Sequence, residues 1–298
     1  MAERKLKGGD PKSAKPSRPK ILIFGKSGVG KTWNSIDFPL VYYIDTEGGA
    51  DLEHYTDKLK KAGGAYFGRE DGSLDFNAVI EEVITLATTK HPYKTLVIDS
   101  FSKLFGTHIG NTEEKMLAAN KKVEFSIEKK EAISLTRKLV RWIDKLDMNV
   151  ILICHQKDQW TKGEVTGQTF DGWEKLEYEL HLALQITKQG NSRKARVTKT
   201  RLKEFEDGST FDWSYPSFAK LYGQDAIESE STPIIPATGE QVNRLNTLID
   251  LMHVGTDITD KWKEKAGVET FDEMDTETIQ KCIDFLTSRI PANAAKSA

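Results

Sequence analysis

The chain has 298 residues, enough for one large domain or two ordinary ones. It carries 43 Lys+Arg against 45 Asp+Glu, a formal charge of −2, which excludes a polybasic nucleic-acid coat. A hydrophobic content of 38% in a chain of this length supports a buried core and excludes bulk disorder. Cys154 and Cys282 lie far apart, with no zinc spacing around them, so neither a disulfide framework nor a zinc finger is expected. That usage fits a reducing compartment. No apolar run approaches the roughly 20 residues that span a bilayer, and the N-terminus lacks the apolar stretch of a secretory signal. A soluble, cytoplasmic protein with no membrane partner is expected.

Residues 1–20 hold seven basic residues, two acidic residues and three prolines, which predicts a flexible basic tail. Structure is predicted to begin at Ile21. Residues 21–25 (ILIFG) form a short apolar run closed by glycine, the pattern of a buried parallel strand. Residues 41–47 (VYYIDTE), 95–100 (TLVIDS) and 149–156 (NVILICHQ) repeat it. Between them, residues 75–89 place Phe76, Val79, Ile80, Val83, Ile84 and Leu86 near helical period, and residues 113–146 read as a longer, charged helix. Strands alternating with helices predict a mostly parallel sheet with right-handed crossovers.

Beyond Gln156 the pattern changes. Residues 157–177 are polar, with no clear period, and predict a loop. Residues 179–202 read as two strands about a QGNS turn, an antiparallel hairpin. Residues 223–239 (GQDAIESESTPIIPATG) are a linker by their Ser, Pro and Gly content. Residues 240–290, with 11 acidic and six basic residues and apolar positions three and four apart, predict a small acidic helical module. The expected organisation is tail 1–20, core 21–222, linker 223–239, module 240–290 and a disordered tail 291–298.

The chemistry concentrates in one motif. Gly25, Lys26, Ser27, Gly28, Val29, Gly30, Lys31 and Thr32 fit G-x-x-x-x-G-K-[ST] without a departure. Glycines let the backbone curl until its N–H groups aim at phosphate oxygens. Lys31 brings charge to the β and γ phosphates, and Thr32 offers a hydroxyl to Mg²⁺. The implied ligands are ATP and Mg²⁺. Asp99, at the tip of a buried strand, is a second candidate metal ligand. Ser100 follows it where many ring ATPases place a catalytic glutamate, so the water-activating carboxylate is sought elsewhere. Glu47, at the end of the second strand, is the candidate, with Asp45 on its face. A polar residue closing the fourth strand can sense the γ-phosphate, and Gln156 is preferred to His155.

In order, GKSGVGKT, the strand-end Glu of YYIDTEGGADL, LVIDS, ILICHQ and RVTKTR resemble the RecA/Rad recombinase superfamily over about residues 20–205. The resemblance implies an α/β, RecA-like P-loop core: a mostly parallel sheet flanked by helices, with a C-terminal β-hairpin, followed here by the small helical module. It implies a Mg²⁺-dependent, DNA-stimulated ATPase. Glu47 maps onto the catalytic base, Gln156 onto the allosteric sensor and residues 157–176 onto the DNA-contacting loop. Lys199 and Arg201 map onto basic residues that reach ATP in a neighbouring subunit, which implies a homo-oligomer with ATP at its interfaces. More narrowly, the short TWNSIDFPL segment and IDTEGG look like phage-encoded ATP-binding proteins of this superfamily, including single-strand-annealing ATPases of the Sak type. That implies single-stranded DNA as partner, a single-strand-binding protein as a second candidate partner, and a bacterial host cytoplasm. No separate N-terminal DNA-binding domain and no F-x-x-A motif is found, which leaves filament formation and strand exchange open while hydrolysis is expected.

Lys157, Trp160, Lys162, Phe170, Trp173 and Lys175 interleave aromatics with lysines, as a single-strand site requires. The competing reading is a solvated loop with two core-anchoring tryptophans. Three other functions stay open at this point: a helicase or DNA-packaging motor on the same core, a small-molecule kinase, and a non-catalytic nucleotide-gated scaffold. A kinase needs an acceptor pocket and an Arg-rich lid, and residues 102–148 do not read as one.

Overall fold

The computed structural model describes residues 18–49, 52–119 and 127–289. The core opens with β1 (Lys20–Gly25), α1 (Lys31–Ser35), β2 (Val41–Asp45), α2 (Glu53–Lys61), β3 (Ala65–Phe67), α3 (Phe76–Thr88), β4 (Thr95–Asp99) and α4 (Phe101–Ala118). It continues with α5 (Ile127–Lys145), β5 (Asn149–Thr161), β6 (Glu164–Phe170), α6 (Leu176–Glu179), β7 (Leu182–Gln189), β8 (Ser192–Thr200), β9 (Thr210–Asp212), α7 (Tyr215–Tyr222) and α8 (Gln224–Glu228). The sheet order is β3-β2-β4-β5-β1-β7-β8-β9. The pairs from β3 to β7 are parallel, and β7–β8 and β8–β9 are antiparallel. The expected architecture, a mostly parallel sheet flanked by helices with a hairpin near the end of the core, is the one observed.

The apolar runs form the central strands because both faces of the sheet are covered. Every residue of β1 and of β4 is buried. One face packs on α3, α4 and α5 through Leu22, Val79, Phe101, Leu139 and Leu152. The other packs on the α1 and α7 side through Ile23, Phe38, Val97, Trp213 and Phe218. Each fully buried side chain of this size contributes about 1.5–3 kcal/mol of transfer free energy. Asp75 starts α3 by accepting from the backbone N–H of Asn77 and Ala78, and Ser100 starts α4 by accepting from Lys103. Among the described residues no helix is long and apolar enough to cross a membrane.

Four segments differ from the sequence reading. The helix expected over 113–146 is two helices, α4 and α5, with residues 120–126 outside the described set. Its start was hidden because Gly106, His108 and Gly110 blur the period of a helix whose buried face is Phe101, Leu104 and Phe105.

The loop expected over 157–177 is largely a two-stranded ribbon. β5 runs on past the sheet to Thr161, turns at Lys162 and Gly163, both at positive φ, and returns as β6. A ribbon solvated on both faces leaves no apolar alternation to read.

The segment expected to be a tail is fixed at its end. Strand β1 starts at Lys20, and Arg18 is only 6% exposed; residues 1–17 lie outside the described set. Arg18 donates to the carbonyls of Ala226, Ile227, Ser229 and Glu230 and pairs with Asp147 at 3.1 Å.

The segment expected to be a linker is therefore clamped. Residues 224–228 are helical, Ile227 is buried, Thr232 donates its N–H to Asp147 and Ile234 donates to the Ala87 carbonyl.

Beyond it, α9 (Gly239–Leu251), α10 (Thr256–Ala266) and α11 (Thr276–Thr287) gather a separate apolar cluster around Leu245, Leu248, Ile279, Ile283 and Leu286. Thr238 and Gln241 form a capping box at the start of α9. Arg141 pairs with Glu269 at 2.5 Å across to this cluster.

Arg18→Ala leaves four carbonyls and Asp147 without their shared donor. Denaturant unfolding is expected to show a loss of about 2–4 kcal/mol, with faster amide exchange across 224–234. Arg18→Lys keeps the charge but not the fork, and is expected to recover less than half of that loss.

Candidate functional site

Strand β1 delivers the phosphate loop to the carboxyl edge of the sheet. Gly25 must be glycine, because a Cβ there would sit 2.3 Å from the Ile186 carbonyl oxygen of β7. Gly28 and Gly30 hold φ of 75° and 89°, the left-handed region that side chains avoid. Lys31 opens α1 and folds back over the loop, donating from Nζ to the carbonyls of Gly25 at 2.8 Å and Lys26 at 3.0 Å. Burial lowers its pKa, while the charges of Asp99 and Glu47 oppose that shift. A cavity of about 620 Å³ joins the loop to Asp99, Glu47, Gln156, Trp33 and Tyr55.

Asp99 ends β4 and is 6% exposed. Thr32 Oγ1 donates to its Oδ2 at 2.5 Å, and the Tyr43 hydroxyl donates to the same atom at 2.7 Å. Burial pushes its pKa up to about 6 against those two hydrogen bonds. Thr32 and Asp99 are thus hard oxygen donors in contact, one a destabilised anion, and this pair suits Mg²⁺. Among the described residues no group of three or more His, Cys, Asp or Glu gathers around a metal position.

Glu47 lies just past β2. That strand is not a neighbour of β1, since β4 and β5 stand between them, yet their parallel-paired segments all reach one edge. Asp45 is buried and accepts from the N–H groups of Glu47 and Gly48 and from the Tyr66 hydroxyl, so it shapes the turn that presents Glu47. Ser100 Oγ donates to Glu47 Oε1 at 2.5 Å, and His155 Nε2 meets the same oxygen. Thr46 Oγ1 bonds both the Ser100 N–H and the Ser100 carbonyl, locking the Glu47 turn to the end of β4. Ser100 therefore holds a carboxylate supplied by β2 where a second acid could have followed Asp99.

The remaining residues divide. Gln156 lines the phosphate cavity. Trp160 is 64% exposed on the β5–β6 ribbon, and Lys162 sits at its turn. Lys157 pairs with Asp171 at 3.5 Å. Phe170 and Trp173 are 3% and 7% exposed within the apolar core, so neither offers a face to a base, which corrects their assignment to a DNA contact. Lys199 and Arg201 lie at the opposite edge of the sheet from the phosphate loop: Leu182, beside Ile21 of β1, pairs with Thr200. They donate to the carbonyls of Leu180 and Tyr178. Neither reaches the phosphate loop of its own chain.

Three features escaped the sequence reading. His155, set aside in favour of Gln156, is the residue that touches Glu47. Trp33, His54 and Tyr55 cluster beside the loop, with Trp33 and Tyr55 5.5 Å apart edge to face and Lys58 4.0 Å over the Trp33 ring. Trp33 follows the motif directly, and that adjacency was the available signal. Arg193, at the start of β8, lies against Gly30, where an added Cβ would fall 3.0 Å from its Nε. Only the fold brings that hairpin over the loop.

The sequence model of the AAA domain family, AAA_24, matches residues 17–211. No curated protein matches the sequence. Among solved structures, the "Crystal structure of the RadB recombinase" matches with a TM-score of 0.43 and 18% identity, over 65% of this chain and 86% of that chain.

Asp99 predicts an unusual pH dependence. Its folded pKa lies above the unfolded value of 3.8, so the folded state binds more protons between about pH 4 and 6. Stability therefore falls as pH rises through that window, and the penalty is complete above it. Asp99→Asn is expected to raise the melting temperature of the ligand-free protein at pH 7.5, by a free energy on the order of 2–3 kcal/mol. The two proteins should converge below pH 4. A variant less stable than the parent at pH 7.5 contradicts this account.

Proposed function

The chain belongs to the AAA domain family, and from that premise we propose that it is a Mg²⁺-dependent ATPase that binds single-stranded DNA and acts in recombination or single-strand annealing. The observation that carries the reading is one cavity gathering Lys31, Thr32, Asp99, Glu47 and Gln156 at a single sheet edge. The loop backbone and Lys31 bind the β and γ phosphates, with Lys31 Nζ exchanging two loop carbonyls for phosphate oxygens. Thr32 and Asp99 hold Mg²⁺, which when bound neutralises charge on the phosphates. Glu47 orients a water molecule and accepts its proton, while Ser100 and His155 fix the carboxylate through Oε1. Gln156 contacts the γ-phosphate.

Lys199 and Arg201 act on the ATP of a neighbouring subunit, in the manner of an arginine finger. Their place at the edge opposite the phosphate loop supports action in trans and a head-to-tail homo-oligomer. The ribbon carries the DNA contact, reduced to Trp160, Lys162 and Lys157 now that Phe170 and Trp173 are core. A bacterial host cytoplasm, a phage-encoded setting and a single-strand-binding protein as partner complete the reading.

Phosphate release by the purified protein, with and without single-stranded DNA, tests it. Hydrolysis stimulated by DNA is the expected result, and no release under either condition leaves a nucleotide-gated scaffold instead. Glu47→Gln is expected to keep nucleotide binding while turnover falls roughly 10²–10⁴-fold.

Trp160→Ala is expected to cost about 1–3 kcal/mol of single-stranded DNA affinity with little change in melting temperature. Trp173→Ala should do the reverse, because its ring is core. Equal DNA affinity in folded Trp160→Ala and wild-type proteins removes the ribbon from the DNA site.

A further inference from the structure

Two phenols stand behind the carboxylates of the phosphate cavity. Tyr43 is 1% exposed: its ring belongs to the apolar cluster on the α1 and α7 face, yet it also lines the cavity. Tyr66 of β3 lies against it, with ring centroids 6.2 Å apart and planes 12° from parallel. Each hydroxyl meets a different acid. Tyr43 donates to Asp99 Oδ2 at 2.7 Å, and Tyr66 donates to Asp45 Oδ2 at 3.0 Å. The parallel register sets Tyr43 beside Val97 and Asp45 beside Asp99, so Tyr43 and Asp99 share one face of the sheet, two positions apart.

The Tyr43 hydroxyl goes to an oxygen that already has a donor. Thr32 Oγ1 donates to the same Oδ2 at 2.5 Å, and among the described residues no donor meets Oδ1. The last torsion of an Asp side chain is broad and two-fold, so one hydroxyl alone does not fix which oxygen the carboxyl presents. Two donors from different elements do. Thr32 comes from α1 and Tyr43 from β2, and together they occupy Oδ2 and hold the plane of the carboxyl. Packing does not call for this hydroxyl. Phenylalanine would fill the same place in the apolar cluster, and a phenol buried there is unfavourable unless it is bonded.

We propose that Tyr43 is a positioning residue for the divalent cation: by holding Asp99 through Oδ2 it keeps Oδ1 available to the ion that accompanies the nucleotide. The proposal rests on the Mg²⁺–nucleotide reading above and adds to it the group that orients the metal carboxylate. Tyr66 does not share the role, because its hydroxyl bonds Asp45, which shapes the turn that presents Glu47.

The test separates metal affinity from nucleotide affinity. Binding of a fluorescent, non-hydrolysable ATP analogue is measured in EDTA and then across a Mg²⁺ titration, and the Mg²⁺ concentration that gives half of the gain in affinity is read. Tyr43→Phe is expected to raise that concentration roughly 10–100-fold, while its affinity for the analogue in EDTA stays close to wild type. A merely loosened core would weaken both. Tyr66→Phe removes the other hydroxyl of the stack and is expected to keep the wild-type Mg²⁺ midpoint. Tyr43→Phe is also expected to add no further rise to that of Asp99→Asn, since it acts through that carboxylate. Should Tyr43→Phe fold poorly, 3-fluorotyrosine in place of Tyr43 keeps both ring and hydroxyl, and its fluorine resonance is expected to move when Mg²⁺ joins the bound analogue. An unchanged Mg²⁺ midpoint in folded Tyr43→Phe, an equal rise in Tyr66→Phe, a further rise on top of Asp99→Asn, or a fluorine resonance indifferent to Mg²⁺ overturns the proposal. Wild-type protein that gains nothing from Mg²⁺, or that does not bind the analogue, removes the Mg²⁺–nucleotide reading itself.

Discussion

A buried carboxylate at the tip of a central strand sets the terms for the whole site. Asp99 is desolvated, and only hydroxyls donate to its Oδ2, so burial disfavours its anion. Lys31, a few ångströms along the same edge, is disfavoured as a cation for the same reason. The ligand-free fold thus carries two charges that water would stabilise better. A polyphosphate with a divalent cation, as proposed above, would set an anion against Lys31 and a cation against Asp99 at once. Binding energy of this kind appears directly as stability. The site is a place where the fold is weaker by itself than with its ligand.

The sheet explains how such a site is assembled, with Thr32 and Asp99 brought into contact from 67 positions apart. Parallel strands end together, so Gly25, Asp99, His155 and the Glu47 turn share one edge although β1 and β2 are separated by two strands. Local bonds then refine what topology delivers. The Asp45 side chain makes the Glu47 turn, and Thr46 ties it to Ser100. A carboxylate taken from β2 needs this bracing, since it must reach across β4 to meet His155, where β5 leaves the parallel sheet.

What was legible in the sequence follows from this geometry. Fully buried strands announce themselves as unbroken apolar runs, and the phosphate loop is local in sequence, so ILIFG, VYYID, TLVID and the residues after Gly25 could be read directly. The ribbon could not, because polar residues on both of its faces carry no periodicity. Nor could Arg18, whose clamp joins residues more than 200 positions apart, since composition places it in a basic tail while its guanidinium organises carbonyls of the segment after α8. Phe170 and Trp173 misled for the converse reason: an aromatic near lysines looks alike whether it faces a base or the core. The Glu47–His155 contact depends on strand order, which no local pattern encodes.

The two edges of the sheet complement each other. β1 runs six residues from Lys20 to Gly25, so the Lys199–Arg201 pair lies roughly 20 Å from the phosphate loop of its own chain. Burial and the neighbouring Arg201 charge push Lys199 down to about 8, while Glu177 and Glu179 only partly compensate. A cation in that state gains from any anion brought against it, and within its own chain the phosphate loop is out of reach. In the trans arrangement proposed above, two copies stacked edge to edge would satisfy both, with the phosphates of one chain meeting the guanidinium and ammonium of the next. Such a contact uses different surfaces on its two sides, so it is heterologous: it closes into a ring if the rotation per step divides a full turn and winds into a helix otherwise.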